Sequence, residues 1–179
     1  NFGIAIGSLV PLRKDPRKVA QVINIVRAAV SAIPEEYRDK TPVHIFGATG
    51  LQVPFLVYAG VDTFDSSTFA QEARSLQYIL PGSFQRRNIM EMSPQDILAC
   101  RCPICQNMNL PELQSSLVSE IVGKPQASGH YKSKYYADIA LHNLELDLQV
   151  LKETRAAVAN DSLDEHIIQI AKEIPRMQN

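Results

Sequence analysis

The chain has 179 residues, 45% hydrophobic and 21% charged, enough to bury one core and too few for two large domains. A formal net charge of −1 excludes a wholly basic nucleic-acid binder, so polynucleotide contact must come from a local patch. The three cysteines all fall between positions 100 and 105, an odd, clustered set that argues for metal rather than disulfides.

In chain order, Gly3 to Val10 is a short apolar run bounded by Gly and Pro and reads as a buried strand. The chain starts at Asn1 and enters this strand almost at once, which leads us to expect part of a longer protein. Asp15-Pro16 opens a helix, with Asp15 as N-cap and Pro16 in the first turn. Val19, Val22, Ile23, Val26, Val30 and Ile33 follow a helical period, and Pro34 closes it. This longest apolar stretch is broken by Gln21, Asn24 and Arg27, so no segment reads as a membrane span or export signal, and the expected compartment is the cytoplasm.

Val43 to Phe46 reads as a second strand, Gly47 to Gly50 as a turn and Val53 to Ala59 as a short helix. Val61 to Phe64 reads as a third strand, ending at Asp65-Ser66-Ser67. Alternation of strand and helix with short connections predicts an α/β fold with parallel strands. Tyr78 to Asp96 reads as irregular, Pro111 to Ile121 as helix, and Gly123 to Ser133 as a polar loop. A long helix from Tyr135 to Val158 and an amphipathic helix from Leu163 to Ile174 complete the chain. The expected division is 1–80, 81–160 and 161–179.

Two constellations carry chemistry. Cys100-Arg101-Cys102-Pro103-Ile104-Cys105 is Cys-x-Cys-x-x-Cys, and three thiolates this close can converge on one tetrahedral ion, for which Zn²⁺ is the usual occupant. A closed site needs a fourth ligand, and His130, His142 and His166 are candidates. His142 sits in the strongest helix pattern and suits the role best; the bland alternative is three unrelated buried thiols and a core histidine. Separately, Asp62 and Asp65 flank the end of the third strand, where parallel α/β folds place their active sites. Asp65 there is a candidate nucleophile, general base or metal ligand, or simply a helix cap. Glycines at neighbouring strand ends, Gly3, Gly7 and Gly47, would let a flat ligand approach the backbone, though most such glycines only shape turns.

The ordered set Gly3-Ile-Ala-Ile-Gly-Ser-Leu-Val-Pro11, His44-Ile-Phe-Gly47, Gly60-Val-Asp-Thr-Phe-Asp-Ser66, Cys-x-Cys-Pro-x-Cys and Leu141-His-Asn-Leu144 resembles the guanine transglycosylase family, the queuine- and archaeosine-type tRNA-ribosyltransferases. The resemblance covers roughly Gly3 to Val158. It implies the C-terminal part of a (β/α)₈ TIM barrel, its last three strands, with an inserted zinc-binding subdomain. The activity implied is exchange of guanine for a 7-deazaguanine base in a nucleic acid, through a covalent aspartyl-glycosyl intermediate on Asp65. Gly3 and Ile4 would offer backbone groups to the base, with Phe46 and Gly47 against it. Cys100, Cys102, Cys105 and His142 would hold a structural Zn²⁺. Arg74 falls where the family places a basic residue near the nucleic-acid backbone, and homodimerisation is a family expectation.

Three departures from the family pattern matter. Its general acid/base aspartate lies in a half of the barrel that this chain lacks, so the 179 residues alone are expected to be inactive. His142 follows Cys105 by 37 positions, more than is usual for the family, and the extra residues include Lys124, His130, Tyr131, Lys132, Lys134, Tyr135 and Tyr136. Basic residues with interleaved aromatics suit phosphate contact and base stacking, and Lys132 and Lys134 are the candidates; a solvated loop is the alternative. Finally, Ser66 to Gly82 lacks the Arg-rich loop of the tRNA enzymes and looks more like the branch that places 7-deazaguanines in DNA, so tRNA and DNA both stand as substrates. A non-catalytic zinc-containing subunit and a zinc-stabilised binding module are the competing classes.

Overall fold

The computed structural model describes residues 3–9, 18–123 and 129–173, with backbone alone at 118–123, 129–135 and 173. The chain is mixed α/β and forms two compact units. The first comprises 1–67 and 149–179, the second 68–148. These limits differ from the divisions at 80 and 160 expected from sequence, because Ala73 and Tyr78 belong to the same core as the cysteines.

The first unit is built on a three-stranded parallel sheet in the order β1 (Ile4–Ile6), β2 (Val43–Ile45), β3 (Thr63–Phe64). Ile4 pairs with Val43, Ile6 with Ile45, and His44 with Thr63. Helices α1 (Val19–Ser31) and α2 (Glu35–Arg38) connect the first two strands, and α3 (Val53–Tyr58), preceded by a 3₁₀ turn at Gly50–Gln52, connects the next two. Strand–helix–strand alternation is therefore as the sequence predicts, although the opening Asp15-Pro16 lies outside the described residues.

Period-two alternation sends Val43 and Ile45 into a core with Val22, Val26, Ile33 and Leu56. His44 and Phe46, and likewise Thr63 and Asp65, take the other face.

A one-residue slip would carry Val43 and Ile45, both buried, to the exposed face, so the apolar set itself fixes the register. Helix α9 (Leu163–Glu173) packs on α3, and α3 packs on α1.

The second unit contains α4 (Thr68–Arg74), an antiparallel hairpin of β4 (Gln77–Ile79) and β5 (Arg86–Asn88), a 3₁₀ turn at Ile89–Glu91, and helices α5 (Pro94–Leu98), α6 (Pro103–Gln106) and α7 (Leu110–Gly123). The hairpin and α5 replace the irregular stretch expected at Tyr78 to Asp96. Arg86 pairs with Glu72 at 2.8 Å and Arg87 with Asp96 at 2.7 Å, so the polar strand β5 is held by its ladder with β4 and by these ion pairs rather than by apolar burial of its own. Helix α8 runs from Gly129 to Ala159 and crosses from the second unit into the first. It begins six residues before the expected Tyr135, so Gly129 to Ser133 are helical and not loop. Among the described residues, no helix is long and apolar enough to cross a membrane.

One turn makes a specific demand on sequence. Helix α3 ends in a Schellman motif, with Gly60 N–H bonded to Val57 O at 2.9 Å and Val61 N–H to Leu56 O at 3.0 Å. Gly60 has φ +100°, and a Cβ there would sit 2.9 Å from Val30 Cγ1. Gly60→Ala should therefore destabilise the fold by about 2 kcal/mol, read from the urea midpoint; an unchanged midpoint would contradict this packing.

Candidate metal centre and strand-edge carboxylate

Cys100, Cys102, Cys105 and His142 are all buried, and their ligand atoms lie within 4.8 Å of one another. The short helix α6 sets the spacing: Cys102 is its N-cap, accepting from Cys105 N–H at 3.4 Å, and Cys100 Sγ accepts from Cys102 N–H at 3.5 Å. His142 comes from the buried stripe of α8, which also carries Ile139, Asn143 and Leu146.

His142 Nδ1 lies 3.6, 3.4 and 3.3 Å from the sulfurs of Cys100, Cys102 and Cys105. Tetrahedral Zn²⁺ with ordinary bond lengths separates an N and an S ligand by about 3.6 Å. The tautomer also fits. His142 Nε2 is 2.8 Å from Ile79 O, a carbonyl that can only accept, so Nε2 carries the proton and Nδ1 presents a lone pair. Asn143 holds the same strand, accepting from Ile79 N–H at 3.0 Å and donating to Gln77 O at 3.1 Å. His130, the rival ligand, has no described side chain, and His166 lies outside the cluster.

Burial pushes the Cys102 and Cys105 thiols above their ordinary range, and it lowers His142 to about 4. Buried neutral thiols bind nothing strongly; a dication at their centre stabilises the thiolates and reverses the trend. The residues therefore fit Zn²⁺.

The second constellation lies at the C-terminal edge of the parallel sheet. Asp65 is exposed and follows β3 directly, and its Oδ1 accepts from Gly47 N–H at 2.7 Å. Asp62, on the opposite side of β3, accepts from Val43 N–H at 2.7 Å and closes the N-terminal edge. The two carboxylates thus separate: Asp62 binds sheet backbone, and Asp65 stands at the open edge. Helix α4 begins at Thr68, which puts Ser67, not Asp65, in the cap position.

Phe46 is 46% exposed and meets His44 edge-on, with centroids 4.7 Å apart. His44 Nδ1 is 2.9 Å from Thr63 Oγ1. Sequence reading missed this pair, and period-two alternation was the signal that could have found it. Phe46, Gly47 and Asp65 come together, but Gly3 and Ile4 do not join them. Ile4 pairs with Val43 at the other end of the strands, and a Cβ on Gly3 would meet Pro42 O at 3.1 Å. Gly7 is the glycine near Phe46, whose Cδ2 would lie 3.7 Å from an added Cβ. Arg74 is exposed at the end of α4, in the second unit. Lys132 and Lys134 fall on the backbone of α8, with side chains outside the described residues, and Lys124 is outside them altogether. Tyr136 is partly buried against the core of the second unit rather than offered for stacking.

A family model described as queuine tRNA-ribosyltransferase matches residues 1–176. The tRNA-guanine(15) transglycosylase of Pyrococcus abyssi is 28% identical over 179 residues, 99% of this chain and 26% of the relative. That of Pyrococcus furiosus is 29% identical over 179 residues, with 99% and 26% covered. That of Saccharolobus solfataricus is 30% identical over 148 residues, 82% of this chain and 25% of the relative. The chain spans about a quarter of the length of the curated relatives it matches.

The metal centre gives a pH prediction. His142 is held below its ordinary 6.5 in the fold, so its contribution to stability is present above 6.5 and lost as pH falls towards about 4. Proton competition for the thiolates has the same sign. Zinc release and loss of near-ultraviolet tyrosine dichroism should therefore coincide on acidification through that window; retention of tertiary signal after the metal has left would contradict it.

Proposed function

The chain belongs to the queuine tRNA-ribosyltransferase family, and from that premise we propose that it forms the part of a guanine transglycosylase that holds the sugar while bases exchange. The observation that carries this reading is Asp65, exposed at the C-terminal edge of a parallel sheet with one carboxylate oxygen fixed by Gly47 N–H. Its three strands would be the last three of a (β/α)₈ barrel.

In this mechanism the free oxygen of Asp65 attacks ribose C1′ as the C1′–N9 bond of guanine breaks, giving a covalent glycosyl-enzyme. A 7-deazaguanine then attacks C1′ and releases the carboxylate. Exchange through two displacements lets one carboxylate serve both. Phe46 would lie against the face of the base, with Gly47 and Gly7 allowing close approach. Cys100, Cys102, Cys105 and His142 would hold Zn²⁺, whose four filled positions make it architectural. The acid/base group would come from outside these residues, so the chain alone would be inactive.

The relatives' names support tRNA as substrate. The sparse basic residues of Ser66 to Gly82 favour the second reading, 7-deazaguanine insertion into DNA. The test offers tRNA and duplex DNA side by side to the whole protein with a 7-deazaguanine. A covalent adduct should form with one of them, and Asp65→Asn should abolish it and lower exchange by about 10⁴-fold. Full exchange by Asp65→Asn would reject the mechanism.

A further inference from the structure

Tyr78 heads the described side chains that are fully buried, ranked by volume. A buried phenol needs a hydrogen-bond partner, and the Tyr78 hydroxyl has Cys105 Sγ at 3.2 Å. Its ring lies parallel to His142, at 3.8 Å between centroids and 6° between planes. The next residue, Ile79, accepts from His142 Nε2–H. One strand, β4, therefore reaches two of the four ligand residues.

We propose that Tyr78 is a positioning residue of the metal centre: its hydroxyl donates to the Cys105 thiolate and its ring braces the His142 imidazole, so that it sets how tightly the metal is kept. The inference rests on the Cys₃His site holding a metal. The donor direction follows from chemistry, since a metal-bound thiolate has no proton to give. The hydrogen bond draws electron density from sulfur and makes it a poorer target for electrophiles. Core packing alone does not ask for the hydroxyl, because phenylalanine would fill the same space.

The test loads the full chain with Co²⁺. Tyr78→Phe should move the thiolate-to-cobalt charge-transfer band to longer wavelength and speed metal transfer to excess chelator by on the order of 10-fold. An unchanged band and transfer rate overturn the proposal. Absence of any thiolate band in the unaltered chain overturns the metal reading itself, which is a separate failure. A measurement without mutation covers a misfolded variant: with NMR-active cadmium bound, the Tyr78 hydroxyl proton should be resolved and scalar-coupled to the metal. A freely exchanging, uncoupled hydroxyl overturns the proposal.

Discussion

Three thiols and an imidazole buried around one point are the constraint on which residues 68–148 depend. Burial alone favours the neutral forms of Cys102, Cys105 and His142, and the apolar core of the unit packs around them. The cysteine loop, α8 and β4 meet there through His142, Asn143 and Tyr78. Structural zinc contributes apparent free energies of about 10–16 kcal/mol in small peptides, comparable with the whole stability of an ordinary domain.

The strand-edge carboxylate is held by a different principle. No metal is needed to place Asp65; the parallel ladder brings β2 and β3 into register, and Gly47 N–H fixes one oxygen. Gly47 has φ 72°, a left-handed conformation that suits glycine. Ser8 adopts φ 61° at the same edge without being glycine, a strained conformation of the kind found near functional sites. The sheet presents the carboxylate at its C-terminal edge, where Asp65 is exposed.

The sequence made the strand–helix alternation legible because apolar period and turn residues agree there. It made the Cys₃His set legible because ligand spacing is local for the cysteines and His142 lies on a strong helix. It did not reveal the β4–β5 hairpin, whose strands are three residues each and whose second strand is Arg-Arg-Asn, with no apolar alternation to read. The start of α8 was hidden for a similar reason: Gly129 to Ser133 are polar, and a helix without an apolar stripe leaves no periodic signal. Gly3 and Gly7 stand at opposite ends of one strand, and only the register tells which is near Phe46. Tyr78 meets a partner 27 positions away, a contact no local pattern encodes.

X-ray absorption at the zinc edge tests the central claim most directly. The account predicts three sulfur neighbours at about 2.3 Å and one nitrogen neighbour at about 2.0 Å. A shell dominated by oxygen or nitrogen, or one with fewer than three sulfurs, would contradict it.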